Sequence, residues 1–136
     1  MKNTVALILA ALFITVCFAG CSSGRKTDDL SQATRIEVRI FSSGNAYTDL
    51  VISDKDTIKD ISDTFSSLEL KKVRIEKPRV DLYQLQFFKG SEPRPFKSFS
   101  IGADNVILTD SVLYKITNGI SLVDYLSKTI ENAPDN

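Results

Sequence analysis

Two stretches of strict alternation limit the folds open to this chain. In Thr34–Phe41, Ile36, Val38 and Ile40 fall on one side and Arg35, Glu37 and Arg39 on the other. In Asp81–Phe88, Tyr83, Leu85 and Phe87 alternate with Gln84 and Gln86. A period of two with β-branched and aromatic residues is the signature of a half-buried strand, with one face on a core and one in water. Such a sheet needs a partner layer for its apolar face, so the rest of the chain must supply one.

Further strands follow from the same logic. Ser42-Ser43-Gly44-Asn45 is a turn signal, and Tyr47–Ile52 reads as the returning strand of a hairpin. After Asp81–Phe88, a polar loop from Gly90 to Pro95 leads to Phe96–Ile101, with Phe99 and Ile101 inward. Gly102-Ala103-Asp104-Asn105 turns the chain into Val106–Thr109, and Asp110-Ser111 turns it again into Val112, Tyr114 and Ile116.

Two segments carry helical spacing instead. Ile58, Ile61, Phe65 and Leu68 share one face, with Lys59, Asp60 and Asp63 opposite. Ser53 with Asp56 three residues on reads as a capping box at its start. The acids Asp54, Asp56, Asp60 and Asp63 lack the glycine and terminal glutamate of a calcium loop, so they read as capping and solvation. Near the end, Leu122, Val123, Leu126 and Ile130 form a second stripe. Ser121 with Asp124 makes its capping box, and Ile120 against Tyr125 its staple. The expected order is β-β-α, an irregular basic stretch over Glu69–Val80, four short strands, then α. The fold class is α+β: a mostly antiparallel sheet with two amphipathic helices packed on one face.

The chain before this domain is of another kind. Lys2 precedes an apolar run of about 15 residues from Val5, which ends in small residues. That is the pattern of a secretory signal peptide, and the run is shorter than the ~20 residues of a comfortable membrane span. Ser22–Ala33 is polar and reads as a flexible tether that spans at most about 40 Å. The expected division is therefore 1–20 signal, 21–33 tether and 34–132 domain, after cleavage of the signal peptide.

Phe18-Ala19-Gly20-Cys21 resembles the lipobox of bacterial lipoproteins: an apolar residue, two small residues, then cysteine. Phe18 stands where that family usually has Leu. The resemblance implies a diacylglycerol on the Cys21 thiol and cleavage between Gly20 and Cys21. It places the protein on the extracytoplasmic side of the cell membrane, or at the outer membrane in a Gram-negative cell, since Ser22 is not the Asp of inner-membrane retention. Two or more acyl chains hold firmly where one holds weakly, at about 0.8 kcal/mol per buried methylene. Beyond the lipobox, the tether and small β-rich domain resemble small uncharacterised lipoproteins of Gram-positive bacteria, a likeness that carries no residues with it.

Inventory narrows the chemistry. A mature chain from Cys21 has 116 residues, 16 of them basic and 17 acidic, a balance unsuited to a dedicated nucleic-acid binder. It has no histidine, and no cysteine besides Cys21. Ser-His-Asp, Cys-His and His-rich zinc sites are excluded, and no cofactor motif is present. The basic stretch offers Lys71, Lys72, Arg74, Lys77 and Arg79 as a partner-binding patch for an envelope protein or an anionic polymer. The bland reading of the same residues is a solvated loop and a lysine-guarded edge strand. The function expected is a lipid-anchored, non-catalytic binding or interaction domain, with no enzyme activity. The alternatives are a regulatory lipoprotein acting on an envelope enzyme or sensor, and a small hydrolase using carboxylates or a Ser-Lys pair.

Overall fold

The computed structural model describes residues 29–43, 46–74 and 79–133. The signal peptide, Cys21, the first part of the tether, the Gly44-Asn45 turn tip and Lys77 lie outside the described residues. Among the described residues, seven strands and two helices follow a 3-10 turn at Leu30–Gln32: β1 Arg35–Phe41, β2 Tyr47–Ile52, α1 Lys55–Ser66, β3 Leu70–Lys72, β4 Asp81–Phe88, β5 Lys97–Gly102, β6 Val106–Thr109, β7 Val112–Ile116 and α2 Leu122–Glu131. They form one sheet in the order β2-β1-β4-β5-β6-β7-β3. Every neighbouring pair is antiparallel. The domain is α+β.

Alternation sets the register. Val38 stands opposite both Leu50 and Leu85, Leu85 opposite Phe99, and Ile101 opposite Ile107. A slip of one residue in any of these strands would turn its apolar set into water, which is why the register is firm. Ile36, Val38, Leu85, Phe87, Phe99, Ile101 and Ile107 are each at most 1% exposed. The same core takes Ile58, Ile61, Phe65 and Leu68 from α1 and the segment after it, and Leu122 and Leu126 from α2. At its centre the Phe65 ring lies 5.8 Å from Phe87 and 4.9 Å from Phe99, all three rings tilted or edge-on. That is the geometry aromatic quadrupoles prefer.

The structure departs from the sequence reading at four places. The irregular basic stretch contains a strand, β3, which crosses to the far edge and pairs with β7. It is too short and too charged to show a period. The N-cap of α1 is Asp54 and not Ser53: its carboxylate accepts from both the Thr57 amide and the Thr57 hydroxyl at 2.8 Å. The carboxylate takes both bonds at the N-cap position and faces the positive helix end. Those bonds, the backbone one first, lower the Asp54 pKa.

The third departure concerns the tether. Leu30 is fully buried, and Asp29 caps the 3-10 turn by accepting from the Ser31 amide at 3.0 Å. Lys89 donates to Gln32 and the Gly90 amide to Thr34 Oγ1, at 2.9 and 2.8 Å. Residues 29–33 thus belong to the folded domain, where the sequence reading leaves them in the tether. The fourth departure is a second clasp on α2. Ser121 is its N-cap as expected, but its bond to the Asp124 amide is long at 3.4 Å. Asn105 does more: it accepts from the Leu122 amide at 2.9 Å and donates to the Ile120 carbonyl at 2.7 Å. Asn105 sits at φ 60, a left-handed position that Asn tolerates better than most residues. The clasp ties the β5–β6 turn to the start of α2.

Substituting Val38→Asp or Phe87→Asp should leave the domain unfolded at 25 °C. An unpaired buried charge costs several kcal/mol, against a total stability of about 5–15 kcal/mol. Loss of the cooperative thermal transition checks this; a wild-type-like melt would mean that these strands face the other way.

Candidate functional site

Four of the five basic residues singled out in the sequence are among the described residues, and Arg79 parts from the other three. Lys71 and Lys72 are exposed on β3, the strand at one edge of the sheet, and Arg74 is exposed just beyond it. Lys77 lies outside the described residues. Arg79 is folded in: its side chain is 12% exposed, its Nε sits 2.7 Å from Asp81, and it donates to the Ser100 carbonyl. It also lies over Gly102, where an added Cβ would stand 2.9 Å from its Nε. Arg79 therefore braces the β4–β5 end of the sheet and is no free surface cation.

Pairing brings in a residue that sequence order hides. Lys115 on β7 is the register partner of Lys71. Like charges directly opposite on a sheet repel, and Lys71, Lys72, Arg74 and Lys115 have no ion pair among the described residues. The result is a small cationic corner at the β3–β7 edge.

The polar face of β2, β1 and β4 carries a second cluster. Arg39 forms a two-pronged ion pair with Asp49, at 2.7 and 3.0 Å, and its guanidinium lies 4.2 Å over the Tyr47 ring. Hydrogen bonding to Arg39 holds the Asp49 carboxyl below the usual carboxylate range. Glu37, Gln84 and Gln86 share with this pair a shallow cavity of about 100 Å³. A groove of about 430 Å³ runs between the 3-10 turn and α1, lined by Ala33, Thr34, Ile58, Ser62 and Asp63. Ser62 is buried there, with no hydrogen-bond partner for its Oγ among the described residues.

Three of the four acids at α1 have partners of their own, and Asp56 lies in the first turn, at the positive helix end. Asp54 caps the helix, Asp63 pairs with Lys59, and Asp60 accepts from the Tyr125 hydroxyl at 2.6 Å. Burial first, and that bond second, push the Tyr125 phenol up to about 12, so it stays neutral and donating across the ordinary pH range. Lys97 is a buried cation on β5, with its ammonium 2.6 Å from Asp110 and 5.7 Å from the centre of the Phe99 ring. Among the described residues no three His, Cys, Asp or Glu side chains gather to hold a metal ion. Nor is any described helix long and apolar enough to cross a membrane.

No family model, no curated protein and no solved structure matches this chain.

The two kinds of basic residue should separate cleanly. Arg79→Ala should cost about 1–3 kcal/mol, because it removes the ion-pair partner of the partly exposed Asp81 and the donor to the part-buried Ser100 carbonyl. Lys71→Ala, Lys72→Ala and Arg74→Ala should each stay within about 0.5 kcal/mol of wild type. Urea melts of the four variants decide it; an unchanged Arg79→Ala would return that residue to the surface patch.

Proposed function

We propose that this chain is a lipid-anchored envelope protein whose domain binds a partner without catalysing a reaction. The observation that carries the reading is the Phe18-Ala19-Gly20-Cys21 motif at the end of the apolar run. An acylated Cys21 is a membrane tie, and the domain is what the tie holds at the surface. The distance supports a short leash. Asp29 and Leu30 already belong to the folded domain, so the stretch from Cys21 to Asp29 reaches at most about 29 Å. The domain then works close to the bilayer, within reach of membrane-bound or wall-bound partners.

The two amphipathic helices cover one face of the sheet in this reading, and the opposite face of β1, β2 and β4 is the open one. Its side chains, with the cationic corner of Lys71, Lys72, Arg74 and Lys115, supply the contact surface. The partner is an envelope protein or an anionic polymer, and no nucleic acid is involved.

Intact mass of the protein taken from native membranes tests the anchor. The expected result is a chain beginning at Cys21 with added acyl mass, and loss of both cleavage and acyl mass in Cys21→Ala. An unacylated, freely secreted chain would remove the reading.

A further inference from the structure

The two edges of the sheet are built differently. β3 is three residues long and carries Lys71 and Lys72. Short length and lysine are standard ways of keeping an edge from pairing with another strand. At the other edge β2 runs six residues, Tyr-Thr-Asp-Leu-Val-Ile, with no lysine or proline. Its pairing with β1 is unbroken from Ile52 to Tyr47, without a bulge. Its one charge, Asp49, is neutralised by Arg39 from the same sheet. Tyr47 and Val51 are 55% and 48% exposed beside it. Among the described residues β2 has β1 as its sole strand neighbour, and Tyr47, Thr48, Asp49 and Val51 are exposed.

The register shows which backbone groups are free. Ser42 bonds the Ala46 carbonyl at 2.8 Å, and antiparallel pairs alternate. Thr48, Leu50 and Ile52 therefore bond to β1, while the amides and carbonyls of Tyr47, Asp49 and Val51 point outward. We propose that β2 is a pairing edge and that its occupant is β2 of a second copy of this chain, antiparallel about a two-fold axis at Asp49.

Self-complementarity selects that occupant. With Asp49 opposite its own copy, Tyr47 meets Val51 of the second copy on the polar face, and Thr48 meets Leu50. Two half-exposed apolar side chains are thereby covered in each copy, as a cross-strand pair of aromatic on β-branched residue. The charges across the joint run Arg39, Asp49, Asp49, Arg39, each carboxylate already held by its own guanidinium. The axis of such a joint is perpendicular to the sheet. Both copies then present the same face in the same direction, and both chains leave their domains on the same side. That is the arrangement two chains tied to one bilayer require. The pairing rests on the edge alone; only the shared bilayer rests on the lipid anchor.

Asp49→Cys in the full chain, oxidised in the membrane, tests the pairing. Facing residues of a hydrogen-bonded antiparallel pair have Cα atoms about 5.5 Å apart, within disulfide range. The expected product is a reducible dimer of twice the chain mass, several-fold above that of the unsubstituted chain and of Ser66→Cys, a control on the exposed side of α1. Adding Val51→Lys should cut the dimer several-fold, and a thermal melt should show the domain still folded. No excess over the controls overturns the proposal. So does an adduct of another mass, which would assign the edge to a different protein. Acyl mass is read on the same samples: acylation without dimer sinks the pairing alone, and dimer without acylation sinks the anchor alone.

Discussion

Phe65 is the contact on which the domain depends. It is fully buried on α1 and touches a ring from β4 and a ring from β5, the central strands of the sheet. The three rings join α1 to the middle of the sheet at one point, and aliphatic side chains of the same core surround them. Aromatic side chains of this kind bring the largest apolar area per residue and a geometric preference as well. Ile58, Ile61, Leu122 and Leu126 extend the same helix-to-sheet contact as aliphatic packing, without the ring geometry. The Asn105 clasp and the Asp54 cap fix where the helices begin, but each contributes only a hydrogen bond or two.

That core leaves polar residues on the far face of β1, β2 and β4, the ordinary state of an antiparallel sheet with one wet side. Its Arg39–Asp49 pair and the Arg35 guanidinium, 4.2 Å from the centre of the Phe88 ring, keep charge on the surface while shielding aromatic carbon. The ends of the sheet are what distinguish it. One edge is short and guarded by lysines; the other is long, uncharged in effect and flanked by exposed apolar side chains. A sheet with a single open edge can grow by one step and then stop, because the outer edge of each copy is the guarded one. This limits association to a pair and prevents an open-ended array.

Much of the architecture was legible in the sequence, because burial on one side of a strand writes itself as a period of two. β2 and β6 fall where the turn residues place them, and the stripe Ile58, Ile61, Phe65 and Leu68 is buried as its spacing requires. What was hidden shares one cause: it depends on pairing between distant segments. β3 has meaning only beside β7, and Lys115 joins the cationic corner only through Lys71. Asn105 looked like an ordinary turn residue until α2 came to rest beside it. Leu30 is a single apolar residue in a polar run, with no neighbours to form a pattern. Arg79 and Lys71 have the same charge in the same stretch, and only the fold decides that one is a brace and the other a surface group.

The most direct test of this account is residue-resolved amide hydrogen exchange on the full chain and on its Phe65→Ala variant. If Phe65 couples the two layers, the slowest amides of β4, β5 and α2 lose protection together and by the same factor as those of α1. That factor corresponds to about 3–5 kcal/mol. Loss of protection confined to α1, with the centre of the sheet unchanged, would mean that the sheet holds itself and that Phe65 fastens only its own helix.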